Sequence, residues 1–201
     1  MMKAKRVVPM IVFVLFIGML PALANGTTVT NNYDEKDVDF EGDGWYYHSV
    51  SKVTGNIILD HGQTMGNAYC TITLREQITT PTGEDHYYIN LLCHYRTSFL
   101  IAGFFGSTFD MTISLQLLDD ELGVDDEKTG ITYTNSQGAS LNQANDITLN
   151  SAVELSPNTN YWIAYHIYIN FDGWIWMIKY PDTEYTYARM DLMYFTYSFD
   201  S

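Results

Sequence analysis

The side chains of this chain best suited to chemistry are aromatic rings and carboxylates. Trp162, His166, Tyr168, Trp174 and Trp176 fall within one short stretch. An aromatic face can stack on the C–H side of a pyranose while a few placed polar groups fix its hydroxyls, so these five are the ligand-binding candidates. The competing reading has the same rings packing a second layer of core. The other concentration is Asp119-Asp120-Glu121-Leu122-Gly123-Val124-Asp125-Asp126-Glu127, six carboxylates in nine positions. Hard oxygen ligands on a flexible loop suit calcium, which makes Asp119, Asp120, Asp125 and Asp126 the metal candidates; a solvated loop tip is the alternative. Asp37, Asp39 and Glu41 before Gly42 imitate the opening of an EF-hand loop, but His48 stands where the bidentate glutamate belongs.

Catalytic signatures are not in evidence. The five histidines, at 48, 61, 86, 94 and 166, show no His-x-x-x-His or Glu-x-x-His spacing, and no Gly-x-Ser-x-Gly or phosphate loop occurs. With 24 acidic residues, some pair can always be chosen to imitate a glycosidase, so the pairing carries no signal. The expectation is a protein that is not an enzyme and requires no cofactor, with Ca2+ as the one candidate ion.

The elements that must position these side chains read as strands. From Tyr161 to Ile169 the odd positions are Tyr, Ile, Tyr, Ile, Ile and the even ones Trp, Ala, His, Tyr, the period-two alternation of a strand with one core face. Ser156-Pro157-Asn158 is the turn that feeds it. Phe109, Met111, Ile113, Leu115 and Leu117 alternate in the same way, whereas Asn135 to Asn145 reads as a polar loop. Asp172-Gly173 signals a tight turn, which would fold Trp174-Ile175-Trp176 back as a hairpin partner and place the candidate rings on adjacent strands. The final strand, Tyr185 to Phe199, is aromatic on both faces. No window sustains the spacing of an amphipathic helix.

Lys3, Lys5 and Arg6 precede an apolar run from Val7 to Leu20, and Ala22-Leu23-Ala24 supplies a small-x-small cleavage site. Residues 1–24 therefore read as a secretory signal peptide; an uncleaved anchor competes, but the run is shorter than the roughly 20 residues of a spanning helix. No later stretch could cross a membrane as a helix. Residues 25–44 read as a loose leading segment and 45–201 as the folded domain. Leader removal leaves 7 basic against 24 acidic residues, a net charge of −17. Such a surface repels nucleic acid and favours cations or basic partners.

Cys70 and Cys93 lie symmetrically about Thr80-Pro81-Thr82-Gly83. A hairpin centred on that turn would oppose Cys70 with Cys93, Ile72 with Leu91 and Leu74 with Ile89, all on one face. Opposed residues of a non-hydrogen-bonded pair are about 4.5 Å apart at Cα, within disulfide range, and export supplies an oxidising compartment. The expectation is a Cys70–Cys93 disulfide, with buried free thiols or a reactive thiol as alternatives.

The strand from Met111 to the acidic loop at Asp120, the segment Ile147 to Leu155, and Ser156-Pro157-Asn158-Thr159-Asn160-Tyr161-Trp162 occur in this order. Over Phe109 to Met190 the chain resembles the jelly-roll β-sandwich modules of secreted and surface-anchored microbial proteins. The resemblance implies an antiparallel sandwich and a non-catalytic accessory or surface role, and assigns no ligand residues. The resulting expectation is an all-β, antiparallel β-sandwich of jelly-roll type, secreted or at the cell surface. It would act in extracellular binding, with a glycan or another surface protein as partner. One alternative is a structural subunit of a surface layer or filament, with the Tyr185–Phe199 strand as a sticky edge; another is an outer-membrane barrel.

Overall fold

The computed structural model describes residues 26–42, 45–103, 106–136, 138–177 and 188–201, so the leader lies outside the described residues. These residues form ten strands and no helix: β1 (Thr27–Val29), β2 (Glu35–Gly42), β3 (Trp45–Val50), β4 (Ile57–Thr79), β5 (Tyr88–Gly103), β6 (Thr108–Leu118), β7 (Val124–Asn135), β8 (Gly138–Asn150), β9 (Asn160–Met177) and β10 (Ala188–Asp200). Every pairing is antiparallel.

Two layers result. One sheet runs β2-β4-β9-β6-β7. The other runs β8-β5-β10, with β1 and the first part of β4 sharing the far side of β10, and β3 beyond β4. The long strand β4 turns the corner between layers, and the end of β9 (Ile175 to Met177) closes a second corner against Gly103 to Ile101 of β5. After the corner in β4, successive strands alternate between layers except for the β6–β7 pair, the interleaved order of a jelly roll. The structure is an all-β, antiparallel jelly-roll sandwich.

Alternation made this core. Ile163, Tyr165, Ile167, Ile169 and Phe171 of β9 and Met111, Ile113, Leu115 and Leu117 of β6 are all essentially fully buried. They meet Leu91, Tyr95 and Phe99 of β5 and Phe195 of β10 across the interlayer space. Tyr95 packs on Tyr165 with ring centroids 5.7 Å apart, and Phe99 on Phe109 at 5.3 Å, distances at which aromatic pairs add to simple burial. An apolar interior under polar outer faces is the reverse of an outer-membrane barrel.

Several expectations are corrected. Of the segment 25–44, the described residues 26–42 are not a loose leader to the domain: β1 pairs with β10, and β2 pairs along its whole length with β4. The polar stretch Asn135 to Asn145 is largely strand, since β8 pairs with β5 from Gly138 to Asn150. From Ala188 on, the expected sticky edge is not an edge, because β10 has β5 on one side and β1 and β4 on the other.

The hairpin about Pro81 does not form either. The part of β4 that carries Cys70 lies in the layer opposite β5: Cys70 sits between Phe40 and Ile169 in one, Cys93 between Ile147 and Phe195 in the other. Packed sheets stand roughly 10 Å apart, beyond the ~7 Å at Cα that a disulfide spans, and both cysteines are free and fully buried. Burial pushes the Cys70 thiol up to about 12 and the Cys93 thiol well above its ordinary 9, which makes them inert thiols. Alkylation of unreduced, denatured protein followed by intact mass measurement is expected to modify both cysteines; a mass two hydrogens low and no adduct would contradict this arrangement.

Candidate functional site

The outer face of the β2-β4-β9-β6-β7 sheet collects most of the candidate side chains. The register across it aligns three successive rows. Asp37, Thr73, His166, Ser114 and Thr129 form one; Asp39, Thr71, Tyr168, Thr112 and Thr132 the next; Glu41, Tyr69, Asn170, Asp110 and Thr134 the third. These are the even positions of β9, whose odd partners fill the core. The same period-two geometry that buries one face therefore composes the other. Tyr168, at the centre of the middle row, is 40% exposed, with hydroxyls, an amide and carboxylates around it.

Hydrogen bonds and ion pairs hold the surrounding groups. Thr73 Oγ1 and His166 Nδ1 are 3.0 Å apart. Burial pushes the His166 imidazole below its ordinary 6.5, helped by Arg75 and opposed by Glu127, so the ring is neutral at neutral pH. Arg75 reaches Glu35 at 3.5 Å and Asp37 at 3.6 Å. Tyr69 donates its hydroxyl to Glu41 Oε2, and that bond, more than burial, pushes the phenol up to about 12. Gln116 Nε2 donates to Glu127 Oε1 at 3.0 Å. The Ser114 hydroxyl first, and Gln116 with it, keep Glu127 below the usual carboxylate range. The result is a surface with an exposed ring at its centre and polar groups fixed around it, suited to holding a ligand that offers both an apolar face and hydroxyls.

The five predicted ligand residues divide. Trp162, His166 and Tyr168 do share this face, with Trp162 half-buried beside Leu118 and Gln77 in register. Trp174 is 47% exposed but reaches its place differently from the expectation. No hairpin forms at Asp172-Gly173; β9 runs on, bending at Gly173, where φ is +89° and Ser107 lies 3.2 Å from where a Cβ would stand. Trp174 therefore pairs with Met65 of β4 rather than facing Phe171. The rings are strung along one strand, with Trp162, Tyr168 and Trp174 successively about 20 Å apart at 3.4 Å per residue. The side chain of Trp176 lies outside what the structure describes, although its backbone pairs with Ala102.

The four metal candidates do not converge. Asp119 closes its own turn: Oδ1 accepts from Glu121 N at 3.0 Å and Gly123 N at 2.7 Å, and Leu122 there adopts φ +67°. Asp125 and Asp126 are on β7 instead of in the loop, and Asp126 accepts from Ser151 Oγ at 2.7 Å and from Glu127 N at 2.8 Å. Among the described residues no three His, Cys, Asp or Glu side chains are grouped to hold a metal ion. Sequence reasoning missed Tyr69, Arg75 and the β2 carboxylates as members of the face. The alternation of Thr71, Thr73 and Arg75 with the apolar Ile72 and Leu74 is the sequence signal for them.

No protein-family model matches the chain, and no curated protein matches it. Solved structures that it matches include Arthrobacter globiformis T6 isomalto-dextranase complexed with panose, at 12% identity and a TM-score of 0.29, covering 88% of this chain and 24% of that one. Another is the enzymatically active domain of bacteriophage CBA120 tailspike protein 4, at 18% identity and 0.24, covering 85% and 19%. A third is the family 11 carbohydrate-binding module from Clostridium thermocellum in complex with a β-1,3-1,4-mixed-linked tetrasaccharide, at 7% identity and 0.21, covering 78% and 90%. The chain thus spans under a quarter of the length of the first two. Likenesses at these TM-scores carry no weight, and the architecture rests on the strand register itself. Among the described residues no helix is long and apolar enough to cross a membrane.

Proposed function

We propose that the protein is an exported, non-catalytic binding module that takes a carbohydrate on the outer face of the β2-β4-β9-β6-β7 sheet. The observation that carries this reading is the exposed Tyr168 ring at the middle of a sheet face, ringed by Thr71, Thr112, His166 and Asn170 in register. Stacking on the ring would supply affinity, and the surrounding hydroxyl, amide and imidazole groups would select among sugar hydroxyls. Export is supported by the basic, apolar and small-residue order of residues 1–24.

Isothermal titration against a panel of neutral oligosaccharides tests it. At least one glycan is expected to bind, and Tyr168→Ala to weaken it by about tenfold, or ~1.4 kcal/mol. An exposed position of this kind normally shifts stability by no more than about 0.5 kcal/mol, so unfolding of the variant would not mimic the loss. Failure of every glycan in the panel to bind would retire the proposal. If Trp162→Ala weakened binding and Tyr168→Ala did not, the ligand would lie toward the end of the sheet where Trp162 sits.

A further inference from the structure

Away from that face, Oε2 of Glu76 and the hydroxyl of Tyr33 are among the buried polar atoms that make no hydrogen bond. Along β4 the core-facing positions read Ile72, Leu74, Glu76 and Ile78, so a carboxyl stands where the pattern calls for an apolar side chain. Tyr33 is 1% exposed and sets its ring edge-on to Phe195 at 5.6 Å. Its segment is tied to the β3–β4 connection: Tyr33 N donates to Lys52 O at 2.8 Å, Asn32 N to Val53 O at 2.9 Å, and Lys52 Nζ to Asp34 O at 2.7 Å. Tyr33 is thus the plug that anchors the entry to β2.

The titratable group that acts on Glu76 is Asp34, from the connection between β1 and β2, and Glu76 in turn raises Tyr33 of that connection and Tyr197 of β10. On β9 its register partner is the apolar Ile163. No cation is among them, and the carboxylate of Asp34 is already engaged by Gln77 N at 2.9 Å. Burial first, and the charge of Asp34 second, raise Glu76 from 4.5 to about 7, against a lowering contribution from the Asp34 backbone.

We infer that Glu76 is a protonation latch: as the neutral acid it is compatible with the Tyr33 plug, and on ionisation it loosens the segment from Asn31 through β2. A folded-state value above the unfolded one means that the stabilisation is complete below about 4.5 and is lost as the pH rises through about 7. Because β2 contributes Asp37, Asp39 and Glu41 to one margin of the sheet face, the latch sets how firmly that margin is docked. The inference does not depend on what the face binds.

Glu76→Gln, a neutral match for the protonated acid, provides the test. Trypsin cleavage at Lys36, which lies on β2, would be timed for both proteins between about pH 6 and pH 8.5, and the ratio of rates at each pH cancels the protease's own pH dependence. The wild-type to variant ratio is expected to rise by roughly tenfold over that range, as expected for about one unit of effective linkage. A ratio independent of pH would overturn the inference. Should the variant not fold, the 13Cδ shift of Glu76 in the wild-type protein decides: a midpoint near 7 supports the latch, and one near 4.5 refutes it.

Discussion

An Asp191→Ala variant is expected to lose about 3 kcal/mol of unfolding free energy, because it strands the buried Ile57 N–H and leaves the Arg189 guanidinium, itself 37% exposed, without its carboxylate. Asp191 is 2% exposed. Its Oδ1 accepts from Ile57 N at 3.1 Å, and its Oδ2 pairs with Arg189 Nε, whose Nη2 in turn donates to Asn56 Oδ1 at 3.2 Å. One carboxylate therefore joins β10 to the start of β4, at the point where β4 is about to leave this layer. Burial pushes its carboxyl above the usual range despite the opposing pull of the Ile57 N–H and Arg189. Desolvation thus outweighs the hydrogen bonds, and removing one partner should harm the fold more than removing both. Urea denaturation of Asp191→Ala, Arg189→Met and the double variant measures this directly. The double variant should be more stable than Asp191→Ala alone; additive losses would show that the pair is not coupled.

Gly55→Ala should be comparably severe, at about 3 kcal/mol from overpacking and backbone strain together. Gly55 has φ +69°, and a Cβ there would lie 2.1 Å from the backbone oxygen of Leu192 and 3.0 Å from Cε2 of Tyr33. The contact cannot relax cheaply: Leu192 N donates to Gly55 O at 3.0 Å, and Gly55 N donates to Ser51 O at 2.9 Å. Gly83→Ala is the matching control, since Gly83 also has positive φ, at +126°, yet has no atom within 4 Å of the added carbon. It should cost only the strain, about 1 kcal/mol. Equal losses at the two sites in parallel denaturation curves would mean that space around Gly55 plays no part.

Local pattern revealed which side chains face the core. Tyr161 to Ile169 and Phe109 to Leu117 alternate as expected, and Pro157-Asn158 turns the chain into β9, with Asn158 at φ +51°. The candidate face followed from the same arithmetic, since the even positions of β9 must point opposite to its buried odd ones, which is how Trp162, His166 and Tyr168 came to share a surface. Polar β8 was hidden because only part of it alternates in hydropathy; its Leu141, Ile147 and Leu149 are diluted by Gln143 and Asn145.

What the chain's own order of residues determined was side: buried or outward, strand by strand, and with it an all-β protein having two kinds of face. What only the tertiary structure decided was neighbourhood. Period-two alternation is identical whether two strands meet edge to edge in a hairpin or face to face across a core. Cys70 and Cys93 could therefore look like cross-strand partners and yet occupy opposite layers. Trp174 could look like the return arm of a hairpin and yet lie further along the same strand. Hydrogen-bonded pairing between β4 and β9, or between β5 and β8, joins residues far apart in sequence. It is selected by how two whole sheets close over one apolar interior, a condition that no short window of residues contains.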